Sequence, residues 1–335
     1  MTARASLVVQ TSFLGDMVLT TPLLAHLAGA GPVDVVCTPG ASGLLANHPS
    51  VREVIVYDKR GADRGVGGFL RIARALGKRA YASAYFAQGS VRSGALGVAA
   101  RIRDRVGFST SAGRAFYTTR VTPRAGTHHA ERLLSLGTRG AATAGDIRPR
   151  LFPGAAERAQ ADQVLGKAAH TERLIALAPG SVWATKRWPH YPALARELRA
   201  HGRIVVVGSD ADRPLATEIV AATNGEAIDA TGRLSLLASA ELIGRASVLI
   251  TNDSAPLHLA SAMNTPTIAV FGPTVPALGF GPLADASSVA GNAALACRPC
   301  HAHGPQRCPL QHWRCMLETT AASVAALAIG HLDQK

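Results

Sequence analysis

The residues with the strongest claim to chemistry lie in Asn252-Asp253-Ser254-Ala255-Pro256-Leu257-His258. An apolar run, Ala246 to Ile250, leads into them and reads as a buried strand. A helical pattern, Leu257 to Met263, follows, and then a second strand, Thr267 to Phe271. A strand that stops on Asn-Asp-Ser and enters a helix gathers N–H groups and a hydroxyl at the helix N-terminus, where partial positive charge suits a phosphate or other anion. Asp253 and His258 bring an acid and an imidazole to the same place. A second group spans Ala178-Pro179-Gly180-Ser181-Val182-Trp183-Ala184-Thr185-Lys186-Arg187-Trp188-Pro189, a strand that becomes a Gly/Ser loop. Gly180 and Ser181 can present N–H groups to a phosphate, Thr185 adds a hydroxyl, and Lys186 can set a point charge against a diphosphate. A third opens the chain: the strand Ser6 to Gln10 stops at Thr11-Ser12-Phe13-Leu14-Gly15-Asp16, ahead of a helical pattern from Met17 to Leu27. Gly15 permits a tight turn and close approach of backbone to ligand. Asp16 stands where the helix begins, and an acid there can cap the helix or complement its dipole.

Three weaker signals accompany these. Gly208-Ser209-Asp210-Ala211-Asp212 follows a strand, and an acid just past a strand end can accept from ribose hydroxyls. Asp210 and Asp212 are equally placed for this, and a surface turn fits as well. Asp58 to Ala80 carries Lys59, Arg60, Arg64, Arg71, Arg74, Lys78 and Arg79 on a glycine-containing loop, Gly61 to Gly68, followed by a basic helix. This is either a solvated charged face or a grip for an anionic substrate, since Arg binds carboxylates and phosphates bidentately. Four of the five cysteines, Cys297, Cys300, Cys308 and Cys315, cluster with spacing C-x2-C-x7-C-x6-C, with His301, His303 and His312 among them. In a reducing compartment that density points to metal more than to disulfides. Four thiolates would suit a closed tetrahedral structural zinc or iron site, and packed free thiols are the alternative. Cys37 lies in a buried strand and reads as core.

The elements that must position these groups alternate strand and helix. Strands at Ser6–Gln10, Val33–Cys37, Val54–Tyr57, Tyr85–Ala87 and Arg105–Phe108 interleave with helical patterns, and a helix spans His128 to Gly137. The segment from about Arg139 to Ala155 is Gly/Ala/Pro-rich and reads as a linker. A second series follows: strands at Leu174–Ala178, Ile204–Val207, Ile228–Ala230 and Val248–Ile250, helices at Tyr191–Ala200, Pro214–Thr223, Ser235–Gly244 and Ala321–His331. The βαβ rhythm predicts an α/β fold of two parallel, doubly wound, Rossmann-like domains, with ligands at the carboxyl ends of the strands. The expected division is 1–155, 156–318, and a C-terminal helix, 319–335, able to cross back to the first domain. The chain has 335 residues, 47% of them hydrophobic, which is ample for two cores. Thirty-five basic residues against 22 acidic give a net charge of +13 and suggest an acidic partner, although part of the surplus fits an Arg-rich, GC-rich coding bias. The apolar run in Met1 to Thr20 is broken by Gln10, Thr11, Ser12 and Asp16, unlike a secretory signal. No stretch of about 18 apolar residues reads as a transmembrane helix. The expectation is a cytoplasmic protein whose membrane contact is peripheral, at the inner face of the cytoplasmic membrane.

Taken in series, these segments resemble glycosyltransferase family 9, the bacterial heptosyltransferases, from Leu7 to about Met316. The Gly15-Asp16 pair with Thr20-Thr21-Pro22 is similar to the family's N-terminal signature. The Pro-Gly-Ser…Lys-Arg-Trp-Pro segment and Asn252-Asp253-Ser254…His258 are similar to its C-terminal ones, with Ala255 where glycine is usual. Arg92-Ser93 and Arg105-Val106-Gly107-Phe108 also resemble features of the family's first domain. The resemblance implies the GT-B architecture, two Rossmann-like domains facing a central cleft, and inverting transfer of heptose from ADP-L-glycero-β-D-manno-heptose to the inner core of lipopolysaccharide. It implies Asp16 as general base and Lys186 on the donor diphosphate. The donor would be held by Gly180, Ser181, Thr185, Lys186, Asp210, Asp212, Asn252, Asp253, Ser254, Ala255 and His258. The anionic acceptor would lie on Ser12, Gly15, Arg60, Arg64 and Arg92. No cofactor is expected for catalysis. Similar cysteine-rich segments occur in the family, and related autotransporter heptosyltransferases hold iron in one, so Cys297, Cys300, Cys308 and Cys315 are the metal candidates here. Another nucleotide sugar, or a protein or small-molecule acceptor, is the alternative within the family. A dinucleotide oxidoreductase is disfavoured, because Gln10 to Asp16 holds one glycine and no G-x-G-x-x-G. A nucleic-acid-binding protein is disfavoured by only three Trp, five Tyr and eight Phe with no aromatic–basic interleaving.

Overall fold

The computed structural model describes residues 5–141 and 146–333. Its chain divides into two compact units, Met1–Phe152 and Pro153–Lys335. The first holds six parallel strands, β1 (Ser6–Gln10), β2 (Val33–Cys37), β3 (Glu53–Val56), β4 (Ser83–Phe86), β5 (Asp104–Phe108) and β6 (Thr119–Val121), in the order β3-β2-β1-β4-β5-β6. The second holds β7 (Leu174–Ala178), β8 (Arg203–Val206), β9 (Ile228–Asp229), β10 (Val248–Asn252), β11 (Thr267–Val270) and β12 (Ser287–Ala290), in the order β12-β11-β10-β7-β8-β9. Each sheet is doubly wound, and its order reverses once, between β1 and β4 in the first and between β7 and β10 in the second. Open α/β sheets bind ligands at the carboxyl ends of the strands at such a point. Residues 142–145, within the expected linker, lie outside the described residues, and Ala155 opens a helix, Ala155–Leu165.

The strands form where they do because β2, β7 and β10 are buried at every residue. A parallel sheet covered on both faces calls for continuous apolar runs rather than alternation. In the first unit Leu7, Val9, Phe86 and Leu96 pack with Ile72 and Leu76. Phe86 stacks on Tyr117 with ring centroids 5.0 Å apart. That stack explains Gly107 in β5: a Cβ built there would lie 2.2 Å from the Tyr117 ring. In the second unit Ile175, Leu177, Ile204, Ile250 and Ile268 share a core with Val324, Ala325, Ala328 and Leu332. The C-terminal helix, Ala321–Leu332, packs in the second unit's core.

The Leu14–Ala28 helix carries Pro22 inside it. Proline has no N–H for the carbonyl one turn earlier, that of Val18. The Thr21 hydroxyl donates to that carbonyl at 2.9 Å instead. Thr21 Oγ1 in turn accepts the Arg150 N–H at 3.0 Å. The Thr-Thr-Pro signature is thus a device for keeping a proline in a helix that begins at the functional end of β1.

At the opposite end of the first sheet, Asp34 is fully buried in β2 and receives Arg52, Arg79 and Tyr81. Burial alone would raise its pKa, but these three donors outweigh it and hold the carboxyl below the usual range. Four elements differ from the sequence reading. β6 and β12 were not expected, nor were the helices Val91–Ala99 and Ala155–Leu165. β6 and β12 are short edge strands with polar residues, Thr-Arg-Val and Ser-Ser-Val-Ala, that lack a buried apolar run. Val91–Ala99 carries two glycines that obscure its helical pattern and is started by the Ser90 hydroxyl, which accepts the Ser93 N–H.

Candidate functional site

Each unit presents a group of side chains where its sheet order reverses. In the first, β1 ends at Gln10 and the chain passes Thr11, Ser12 and Phe13 before the Leu14–Ala28 helix. Asp16 lies in the first turn of that helix, three residues past Phe13 at the N-cap, and Gly15 has ordinary rather than left-handed backbone. The expected tight turn at Gly15 is not formed; extended backbone at Phe13 makes the bend instead. Ser12 Oγ donates to Asp16 Oδ2 at 2.7 Å, and His129 Nε2 lies 3.7 Å from Oδ1. Buried Gln10 donates to Thr20 Oγ1 at 3.1 Å and accepts the Ser12 N–H at 3.3 Å, so the turn is braced from below.

Beside this carboxylate is a cavity of about 360 Å³ lined by Ser12, Phe13, Tyr57, Lys59, Arg60 and Gln88, among others. Phe13 is 56% exposed, an apolar plate at its rim. Lys59 Nζ donates to the Thr11 carbonyl at 2.8 Å, and burial, then Arg60 and Arg92, hold its pKa below the usual value. The loop that carries Arg60 is preorganised: Asp58 accepts the N–H groups of Gly61 and Ala62, and Asp63 accepts the N–H of Asp58. Of the three arginines expected at the acceptor, only Arg60 lines this cavity. Arg64 is exposed at the N-cap of the Gly65–Gly77 helix. Arg92 donates to Tyr57 Oη at 2.5 Å and to the carbonyls of Asp63 and Gly65, which makes it a clamp on the loop.

In the second unit, Lys186 Nζ donates to Asp253 Oδ2 at 2.6 Å, and the Thr274 hydroxyl donates to the same oxygen at 2.6 Å. Both charged side chains are 9% exposed. Burying a charge is costly unless it is paired, and the Asp253 carboxylate pairs the Lys186 ammonium. Asp253 directly follows β10 and precedes the Ala255–Met263 helix, whose N-cap is Ser254. Pro256 contributes no N–H, the Leu257 N–H is taken by the Ser254 carbonyl and the Ser254 hydroxyl donates to the Asn252 carbonyl at 3.5 Å, so among the described residues this end offers the N–H groups of Ser254 and Ala255. Ala255 opens the helix without left-handed backbone, so alanine serves there as well as glycine would. His258 is buried one turn on, its ring against Phe280.

Asn252 is fully buried and braces the loop after β7. Its amide donates to the Pro179 carbonyl at 2.8 Å and accepts from Trp188 N–H and Tyr191 Oη at 3.3 Å each. It shapes this loop rather than pointing out of it. Ser181 Oγ accepts the Trp183 N–H, and Thr185 Oγ1 donates to the Pro305 carbonyl. Asp212 accepts the N–H and the hydroxyl of Ser209 and leans on the same loop, where a Cβ added at Gly180 would lie 2.3 Å from its Oδ1. Asp210 is instead paired with Arg213 at the surface, 81% exposed.

The cysteine-rich segment does not fit a metal. Among the described residues no three His, Cys, Asp or Glu side chains are grouped to hold one. The expected closed site at Cys297, Cys300, Cys308 and Cys315 is corrected accordingly. Cys315 is buried in the apolar core, which pushes its thiol up to about 11, Cys300 donates to the Cys297 carbonyl, and Cys297 lies 3.9 Å from His312. Arg298 organises this segment by donating to the carbonyls of Phe271, Gly272, Thr274 and Asn292, which fixes the loop that carries Thr274. The stretch that follows straps the donor loop: Gln306 accepts from Ala184 and donates to Val182, and Gly304 lies against the Lys186 side chain.

Sequence reasoning missed four residues here. Thr274 was signalled only as a hydroxyl just past β11, Lys59 as one cation among seven, Arg298 not at all, and His129 as half of a His-His pair at a helix start. A cavity of about 610 Å³ opens among Glu172, Arg173, Arg199 and Arg203, and none of these motif residues lines it.

Comparison with known proteins agrees with this arrangement. The model for glycosyltransferase family 9 (heptosyltransferase) matches residues 69–313. Lipopolysaccharide heptosyltransferase 2 of Escherichia coli is 29% identical over 295 residues, 81% of this chain and 83% of that one. The structure of E. coli ADP-heptose lipopolysaccharide heptosyltransferase II superposes with a TM-score of 0.81 at 23% identity over 98% of this chain and 99% of that one. A family 9 glycosyltransferase from Veillonella parvula superposes with a TM-score of 0.87 at 22% identity, covering 100% and 99%.

Proposed function

Since the chain belongs to glycosyltransferase family 9 and has the GT-B fold, we propose that it moves a heptose from ADP-L-glycero-β-D-manno-heptose to the inner core of lipopolysaccharide. The names of its relatives support the donor and the acceptor class. The observation that carries the reading is the buried Lys186–Asp253–Thr274 cluster at the N-terminus of the Ala255–Met263 helix. An ammonium has three donors, so Lys186 can keep Asp253 and still reach a diphosphate at the helix end.

The reaction is a single inverting displacement. The acceptor O–H breaks as Asp16 takes its proton, the oxygen bonds to the anomeric carbon, and the bond from that carbon to the diphosphate oxygen breaks to release ADP. Lys186 and the N–H groups of Ser254 and Ala255 stabilise the charge that develops on the diphosphate. These donors supply what a divalent cation supplies elsewhere, so transfer needs no metal in this reading. Lys59, Arg60 and the exposed face of Phe13 suit an anionic sugar, with cations for its carboxylate or phosphate and an apolar plate for its ring. Among the described residues no helix is long and apolar enough to cross a membrane. A lipid-linked acceptor and the net charge of +13 favour peripheral contact with an anionic membrane surface.

Calorimetry with ADP-heptose beside UDP-, GDP- and dTDP-sugars, without acceptor or added metal, tests the donor. Selective ADP-heptose binding that is lost in Lys186→Ala is the expected result. Preference for another nucleotide overturns the donor and keeps the family; binding to none overturns the reading. Transfer undiminished by EDTA is expected, and transfer restored only by a divalent cation removes the metal-free mechanism.

A further inference from the structure

Two adjacent histidines begin the His129–Gly137 helix, and they do different work. His128 is the N-cap, and its Nδ1 accepts the Ala130 N–H at 3.1 Å. His129 turns toward the Leu14–Ala28 helix, against which its own helix packs, and sets Nε2 3.7 Å from Asp16 Oδ1. Arg132 Nη2 lies 3.4 Å from the other ring nitrogen, Nδ1. A guanidinium can only donate, so Nδ1 is the lone-pair nitrogen and the proton of the neutral ring sits on Nε2, the atom nearest Asp16. The second carboxylate oxygen is already held by the Ser12 hydroxyl at 2.7 Å, and the Asp16 carbonyl by Thr20 Oγ1 at 2.6 Å.

The geometry points to His129 as a positioning residue for transfer: a neutral imidazole whose Nε2–H holds Asp16 Oδ1 and aims the carboxylate at the acceptor hydroxyl. This rests on Asp16 being the base. Catalytic hydrogen bonds are often long without substrate and tighten in the complex, which suits a 3.7 Å contact.

The charge state of the ring matters as much as its place. Burial pushes His129 down to about 4; Asp16, from the neighbouring helix, pulls the other way, and Arg132 and His128, from its own, add to the push. At neutral pH the ring is therefore uncharged. A cation this close would stabilise the carboxylate and make it a weaker base. A neutral donor orients it at a smaller cost to the base.

The test is steady-state transfer from ADP-heptose to a lipid-core acceptor, from about pH 5 to pH 9, for wild type, His129→Ala, His129→Gln and Asp16→Asn. Donor binding and thermal melting are measured on each variant to check folding. His129→Ala should lower kcat about ten- to a hundredfold, leave both KM values in place and move the acid limb of kcat to higher pH. His129→Gln, whose amide N–H can stand where Nε2–H stood, should recover most of the rate and return the limb. Wild-type kcat in His129→Ala, an unmoved acid limb, or a folded His129→Gln no better than alanine overturns the role of His129 and leaves Asp16 as base. Wild-type turnover in Asp16→Asn overturns the reading of Asp16 itself.

Discussion

Asp16 and Asp253 sit at corresponding places, each close behind a strand that flanks the reversal of its sheet, yet their partners differ in kind. Around Asp16 the donors nearest the carboxylate are neutral, the Ser12 hydroxyl and the His129 imidazole. Among the described residues its only ion-pair partner within 4 Å is that imidazole, which suits the proposed proton acceptor. Around Asp253 the charge is matched by the Lys186 ammonium at 2.6 Å, with Thr274 on the same oxygen. That carboxylate is the counterion of a buried ammonium. In the proposed reading, one fold used twice yields a base and an anion clamp by changing which side chains surround one acid.

The comparison breaks most readily at the acids themselves. Asp16→Asn should lower kcat by about a thousandfold with donor affinity and melting temperature nearly unchanged. Asp253→Asn should instead cost about 3–5 kcal/mol of stability, read by urea unfolding, because it leaves Lys186 buried and unpaired. The reverse pattern would dissolve the distinction. Lys186→Met comes next: it should lower kcat about a hundredfold and weaken ADP-heptose binding in calorimetry. Thr274→Val removes one donor from a buried carboxylate and should cost about 1–2 kcal/mol in stability, with a smaller effect on rate.

A pH-dependent effect tests the neutrality of His129. Burial holds both His129 and His48 at about 4 in the folded protein, against about 6.5 unfolded. The unfolded chain takes up these protons as the pH falls below about 6.5 and the folded one only near 4. Stability is therefore full above about pH 6.5 and declines toward pH 4. Replacing either histidine by glutamine should flatten that decline by about 1.4 kcal/mol per pH unit, read by urea unfolding at several pH values. A steeper decline in His129→Gln would mean that the ring is charged in the fold.

The two α/β sheets were legible because Val33–Cys37, Leu174–Ala178 and Val248–Ile250 are continuous apolar runs between turn residues, the mark of strands buried on both faces. The edges were not, because β6 and β12 bury little and are chosen by neighbours rather than by their own pattern. Candidate site residues carried by local motifs, Asp16, Lys186, Asp253 and Ser254, were legible as candidates because each lies in the stretch of chain that follows a strand end. Those whose meaning lies in a distant partner could not. His129 acquires its role from a helix at the other end of the first unit, and Thr274 from a carboxylate 21 residues away. Arg92 shows the reverse failure: its charge suggested substrate, and its position spends that charge on Tyr57 and two carbonyls. The cysteines misled because spacing alone cannot tell a thiol aimed at a metal from one buried in a core, as Cys315 is.

The strap over the donor loop has a consequence in time. Thr185 meets Pro305 across 120 residues and Ala184 meets Gln306 across 122, whereas Ser12, Asp16 and His129 all lie within the first unit. Domains emerging from the ribosome tend to fold N-terminal first. The Asp16 group can thus be assembled while the second unit is still being translated, and the loop that holds Lys186 is not fastened until the segment around Pro305 and Gln306 has been made.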